Sequence, residues 1–275
     1  MTAAAVDYVA AGSYDEVRAA LADGDASVLA GGQSLVHDLA RRTALPRRLV
    51  DINRVTELAT LTETDGVLRV GPLVRHRVFE SSAVGGALGD LLRLVVRNIG
   101  HPPVRARGTM LGSLAYAHPA AEWPVMAVTV GADIDLTGPD GTRTVAAERF
   151  FTGPFTTVRR PEELLAEVRL PVLPAGTGTG YAEDRRGPGI YPEAAVLAAV
   201  TVVDDVITAA AIGLVNAGPC PIRARQAERV LIGTSFSDSA IIAAADAAVR
   251  LDAEFAPHAL RALTRRALTQ AREGT

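Results

Sequence analysis

Apolar positions first recur at helical spacing at Tyr14, Val17 and Leu21, behind Ser13-Tyr14-Asp15-Glu16. That tetrapeptide has the hydroxyl and the carboxylate of a capping box, so a short amphipathic helix is predicted to about Ala22. Residues 27–30 form an apolar run closed by Gly31-Gly32 and read as a buried strand. A helix is predicted over 33–42, a strand over 49–52, and a strand over 67–71 after the turn signal Thr64-Asp65-Gly66. Residues 88–97 suit a helix, and Pro102-Pro103 is expected to end whatever precedes it. Residues 120–130 are apolar enough for a buried helix, and 133–137 and 143–145 flank Gly138-Pro139-Asp140-Gly141 as a hairpin. The succession is mixed, with short strands and no regular βαβ run.

Between Pro171 and Gly189 the pattern breaks. Pro and Gly crowd around Gly176-Thr177-Gly178-Thr179-Gly180, followed by the pair Arg185-Arg186. A boundary crossed by few contacts is expected here, dividing residues 1–175 from 176–275. Beyond it, 194–203 and 206–215 read as strands joined by Asp204-Asp205, and 237–249 and 257–271 as helices. The last helix carries Leu260, Leu263, Ala267 and Leu268 on one face and arginines on the others.

A chain of 275 residues has room for one large domain or two ordinary ones. Its 48% hydrophobic and 21% charged residues are the balance of a soluble globular protein. With a net charge of -3 there is no basic field to draw it to nucleic acid or anionic lipid. Cys220 stands alone, so this chain by itself can build no disulfide framework, iron–sulfur cluster or cysteine-rich zinc site. All 28 basic residues are Arg, which removes Schiff-base chemistry and a P-loop lysine. The amino terminus lacks the basic start of a secretory leader, and the apolar stretch 122–136 is broken by Pro124, Gly131 and Asp133. A bilayer span needs roughly 20 apolar residues, so a cytoplasmic chain is expected.

Two glycine segments carry candidate chemistry. In Ala30-Gly31-Gly32-Gln33-Ser34-Leu35 a strand ends in two glycines before a helix, which turns the backbone sharply and gathers free amides in one concavity. Hydrogen bonds to a charged group contribute roughly 1.5–3 kcal/mol each, so three or four can anchor a pyrophosphate. A plain turn is the alternative reading. The second segment, Gly108-Thr109-Met110-Leu111-Gly112-Ser113, is another glycine- and hydroxyl-bearing turn before a buried helix. Glu122, in the first turn of that helix, suits the helix dipole and can also accept from a sugar-type hydroxyl. No G-x-G-x-x-G or G-x-S-x-G stands in the required setting. The histidines at 37, 76, 101, 118 and 258 show no metal-ligand spacing and are expected to be structural or on the surface.

Six segments occur together in one order: AGGQSL at 30–35, LVDINRVTEL at 49–58, LRVGPLVRH at 68–76, IGHPPVRARGTMLGSLAYAHPAAEWP at 99–124, FFTGPFTTVRRPEELLAEVRLP at 150–171, and GPCPIRARQAERVLIG at 218–233. In these the chain resembles the FAD-binding medium subunit of the molybdenum hydroxylases, the group containing aerobic carbon monoxide dehydrogenase and xanthine dehydrogenase. The resemblance implies an α+β fold: a vanillyl-alcohol-oxidase/PCMH-type FAD-binding domain in two lobes over 1–175, then a smaller α+β domain of the CO-dehydrogenase flavoprotein type over 176–275. It implies that Ala30, Gly31, Gly32, Gln33, Ser34 and Leu35 hold the FAD pyrophosphate together with Thr109, Leu111, Gly112 and Ser113. Glu122 would then bond the flavin's polyhydroxyl chain, and Arg186 and Tyr191 would approach the ring.

The implied activity is electron transfer as an oxidoreductase subunit, with no catalytic side chain or metal of its own. Electrons would come from a 2Fe-2S small subunit, fed by a large subunit with the molybdenum cofactor, and leave to quinone, NAD or oxygen in a heterotrimer. A free-standing FAD oxidoreductase and a flavin-free structural subunit are the alternatives. The chain departs from the family pattern at Leu111, where a glycine is usual, and at His118, where an Asp is usual. A left-handed Leu111 would cost roughly 1–2 kcal/mol. Pro72, Val74 and the 187–193 stretch also differ.

Overall fold

The computed structural model describes residues 6–249 and 257–275; residues 1–5 and 250–256 and the side chains of Pro257 and His258 lie outside that description. The first lobe is β1 (Asp7–Ala10), α1 (Tyr14–Leu21), β2 (Ala26–Leu29), α2 (Leu35–Arg41) and β3 (Arg48–Asp51). Its strands are parallel in the order β1-β3-β2. Val17 and Leu21 of α1 bury against Val50 and Ile52. The capping box forms: Ser13 Oγ accepts from the Glu16 amide at 3.2 Å, and the Glu16 carboxylate accepts at 2.7 Å from Gly12, one residue earlier than the simple motif predicts.

The second lobe contains β4 (Leu61–Thr64), β5 (Val67–Val70), α3 (Gly86–Val96), α4 (Pro102–Arg107), α5 (Met110–Tyr116) and α6 (Glu122–Val130). It continues through β6 (Asp133–Gly138), β7 (Gly141–Ala146), α7 (Ala147–Phe150), β8 (Phe151–Gly153), β9 (Thr156–Thr157) and β10 (Leu164–Pro171). Five of these strands form an antiparallel sheet, β4-β5-β10-β6-β7. Pro102-Pro103 opens α4 as well as closing what precedes it, because proline's fixed φ and missing N–H suit a first helical turn.

The third layer is the antiparallel sheet of β11 (Thr177–Asp184), β12 (Ala194–Val203), β13 (Val206–Val215) and β14 (Ile222–Arg223), followed by α8 (Arg225–Leu231), α9 (Asp238–Ala248) and α10 (Pro257–Glu273). Asp204 and Asp205 both have positive φ, 49° and 62°, as a two-residue hairpin turn of matching twist requires. Along β12 the faces alternate. Ala195 and Leu197 join the core around Trp123, while Val196, Ala198 and Val200 meet the carboxyl-terminal helices. The sheet is therefore buried on both sides and fixes the carboxyl-terminal layer against α3 and α6. None of the described helices is long and apolar enough to cross a membrane.

The Gly-Thr-Gly-Thr-Gly stretch is a packed strand, not a loose connection. Thr177 to Gly180 pair along β12 and are buried, and α10 lies directly on them. A Cβ at Gly180 would overlap the carbonyl oxygen of Ala267 and lie 2.9 Å from its carbon. Glycine was needed there for close approach, and a linker uses the same residue. Gly180→Val is expected to destabilise the fold by about 3 kcal/mol in denaturant unfolding. Gly187→Val, where an added Cβ meets open space, should stay within about 0.5 kcal/mol of the wild type.

Candidate cofactor site

The two glycine segments meet backbone to backbone. An added Cβ on Gly31 would overlap the carbonyl oxygen of Arg107 and lie 2.8 Å from Gly108 Cα. Gly32 turns the chain with φ +73°. Side chains fasten the junction: Asn53 Nδ2 donates to the Ala30 carbonyl at 2.8 Å, Arg75 Nη2 to Asn53 Oδ1 at 2.5 Å, and Arg75 Nη1 to the Arg107 carbonyl at 2.6 Å. Among the described residues, none accepts from the amides of Gly31, Gly32, Gln33 or Ser34. All four residues line a cleft of about 1280 Å³, open solvent at its mouth included.

Thr109 caps α5 from the other side, its Oγ1 accepting from the Gly112 amide at 3.1 Å. A Cβ on Gly112 would lie 2.8 Å from that hydroxyl oxygen. The amides of Met110 and Leu111 likewise have no acceptor among the described residues. Leu111 is not left-handed. It sits in the first turn of α5 with ordinary helical backbone, and its side chain, 2% exposed, packs into the core of the second lobe. The expected strain is therefore absent. His118 takes over a local acceptor role: its Nδ1 receives the Ala120 amide at 3.1 Å, and its ring stacks on Tyr191 at 3.8 Å and 11°. Burial lowers the His118 pKa, which keeps that nitrogen free to accept.

Glu122 opens α6 and is only 3% exposed. Arg185 Nη2 reaches it at 3.4 Å and Glu183 at 2.5 Å, while the Tyr181 hydroxyl donates to Glu183 at 3.0 Å. One guanidinium thus serves two carboxylates. Burial pushes the Glu122 carboxyl up to about 8, against the opposing pull of its own backbone hydrogen bond and of Arg185.

Of the residues expected at the site, Ala30 to Leu35, Thr109, Leu111, Gly112, Ser113, Glu122 and Tyr191 all line the one cleft. Arg186 does not. It points outward, 79% exposed, and pairs with Glu193 at 2.8 Å. Tyr181, Glu183 and Arg185 share the inward face at strand spacing, so it is Arg185 that reaches Glu122. The cleft is also lined by His76, Arg159 and Glu163, which the glycine motifs did not point to. Among the described residues no group of three or more His, Cys, Asp or Glu is placed to hold a metal. Free amides on two loops that only glycine lets meet, beside a buried carboxyl, fit a dinucleotide with an anionic bridge.

The chain matches the FAD binding domain in molybdopterin dehydrogenase over residues 4–173 and the CO dehydrogenase flavoprotein C-terminal domain over 191–271. The chain belongs to the FAD-binding medium subunits of the molybdenum hydroxylases. It is 35% identical to the 6-hydroxypseudooxynicotine dehydrogenase complex subunit alpha of Paenarthrobacter nicotinovorans, over 96% of this chain and 94% of that one. The carbon monoxide dehydrogenase medium chain of Hydrogenophaga pseudoflava is 34% identical, over 82% and 79% respectively. Among solved structures, quinoline 2-oxidoreductase from Pseudomonas putida 86 has a chain that superposes with a TM-score of 0.92 at 31% identity, covering 100% of this chain and 99% of that one. The medium subunit is thus an FAD-binding part of a dehydrogenase.

Because Glu122 holds its proton more tightly in the folded protein than in the unfolded chain, its burial destabilises the fold increasingly as pH rises from the ordinary carboxylate range towards 8. Glu122→Gln removes that titration. In the cofactor-free protein the stability advantage of Glu122→Gln over wild type is expected to widen between about pH 5 and 8, by at most about 1.4 kcal/mol per pH unit. Denaturant midpoints across that range check it, and a constant gap would contradict it.

Proposed function

We propose that this medium subunit takes electrons from iron–sulfur clusters on a 2Fe-2S small subunit and passes them through FAD to an external acceptor, a quinone, NAD or oxygen. The large subunit of the same heterotrimer would carry the molybdenum cofactor and oxidise the substrate. The observation that carries this reading is the junction of the two glycine loops, whose free amides converge on one cleft in a chain with a single cysteine. A chain with one cysteine supplies too few thiolates for a cluster of its own. The relatives' names refer to carbon monoxide, 6-hydroxypseudooxynicotine and quinoline, while the fold is shared. That range of substrates supports oxidation at a site on another chain.

In this reading the amides of 31–34 and of Leu111 hold the pyrophosphate beside Thr109, Gly112 and Ser113, and Glu122, held by Arg185, accepts from a hydroxyl of the flavin's side chain. Tyr191, which lines the cleft and stacks on His118, would approach the ring. Bound FAD supplies the capacity to receive and release two electrons; the protein supplies binding, orientation and electrostatics. The FAD-binding domain is placed at 1–175 and the carboxyl-terminal domain at 176–275, supported by the start of the third sheet at Thr177.

Gly32→Val tests the clamp. Its φ of +73° and a Cβ 3.2 Å from Val36 Cγ2 would strain the loop by roughly 1–2 kcal/mol, too little to unfold a chain of this size. The variant is expected to purify folded, by circular dichroism, but with flavin content reduced at least tenfold in the visible spectrum. Stoichiometric flavin in Gly32→Val would overturn the assignment.

A further inference from the structure

Trp123 is fully buried, and its indole ring is held edge-on by Phe79 at 5.4 Å. Its N–H donates to His76 Nδ1 at 3.0 Å. An indole nitrogen can only donate, so Nδ1 is the unprotonated nitrogen of the imidazole and the ring proton sits on Nε2. Burial, with Arg105 and Arg75 adding repulsion, holds the His76 pKa down to about 3, so the ring stays neutral and keeps this tautomer.

The protonated edge of the ring lies against the second glycine loop. The His76 amide donates to the Gly108 carbonyl at 2.9 Å, and a Cβ on Gly108 would lie 2.6 Å from His76 Nε2, so the imidazole covers the start of the second glycine loop. His76 is itself only 5% exposed, yet it lines the cleft together with Gly108 and Thr109. Among the described residues no group accepts the Nε2 proton. Nε2 is not sealed in the core, so an acceptor on a ligand in the cleft can reach its N–H.

We propose that His76 is a further FAD-binding residue, whose Nε2–H, set in place by Trp123, donates to the cofactor's anionic bridge from beside the second glycine loop. The inference rests on the FAD reading of the cleft. A neutral donor suits this position, because Arg75 and Arg105 already charge the surroundings and an imidazolium would be repelled by them. The arrangement gives the bridge a directional side-chain donor in addition to the loop amides. It also couples cofactor binding to the core through Trp123.

Two substitutions separate this role from simple support of the indole. In His76→Asn the amide oxygen takes the place of Nδ1, so the Trp123 bond is kept and the donor at Nε2 is lost. In His76→Gln the side-chain nitrogen takes the place of Nε2, so the donor is kept and the Trp123 acceptor is lost. The full-length protein, stripped of flavin, would be titrated with FAD and separately melted without it. His76→Asn should melt close to wild type and bind FAD roughly ten- to hundredfold more weakly, the effect of one hydrogen bond to a charged group. His76→Gln should melt lower and bind FAD within about threefold of wild type, well inside the effect of one such bond. Equal FAD affinity of His76→Asn and wild type would overturn the proposal. Failure of the wild type itself to bind FAD would instead overturn the reading of the cleft. If neither variant folds, the wild-type protein labelled with 15N-histidine decides: FAD should shift the His76 Nε2–H resonance, and an unmoved resonance contradicts the proposal.

Discussion

The contact on which the site depends is the approach of two backbones, Gly31 against Arg107 and Gly108, with no room for a side chain on Gly31. It joins the small parallel lobe to the antiparallel one and places two sets of free amides on the same cleft. The relay from Ala30 through Asn53 and Arg75 to Arg107 fixes the distance between the loops, using side-chain hydrogen bonds where the glycines offer none. Arg75 spends its charge on neutral acceptors here, and burial lowers its pKa accordingly. A preorganised anion site of this kind needs no lysine, which accords with a chain whose basic residues are all arginine.

The carboxyl-terminal layer completes the cleft as well as covering the core. The pairing of β11 with β12 sets which side chains at its end face inward, and so brings Arg185 and Glu183 over Glu122. Two carboxylates around one guanidinium leave Glu122 short of compensation, and burial then favours its neutral form. The cleft consequently holds a weakly acidic carboxyl at one place and bare amides at another.

Much of this was legible in the sequence, for identifiable reasons. Paired glycines beside hydroxyl residues mark places where a backbone must turn or be approached closely, so both loops stood out. Two apolar runs, 194–203 and 206–215, with two aspartates between them, marked the hairpin. What could not be read was register and depth. Arg185 and Arg186 are chemically equivalent in sequence, and only the strand's facing chooses between them. Gly178 and Gly180 resemble a linker until α10 is seen lying on them. Leu111 was expected to be strained because glycine is usual at that place, yet the backbone there is helical and the side chain turns into the core. His76 was expected to be structural or superficial; its pairing with Trp123, 47 residues away, appears only in the fold.

If the two glycine loops grip the anionic bridge of a dinucleotide, as proposed, affinity follows the phosphates of the ligand. Titration of the flavin-free protein with FAD, FMN, riboflavin and ADP, at one salt concentration, measures it most directly. FAD is expected to bind tightest, ADP to retain measurable binding through its pyrophosphate, FMN to be weaker than FAD and riboflavin weakest, with each lost hydrogen bond to a phosphate reducing affinity roughly tenfold or more. Riboflavin binding as tightly as FAD, with no binding of ADP, would contradict it.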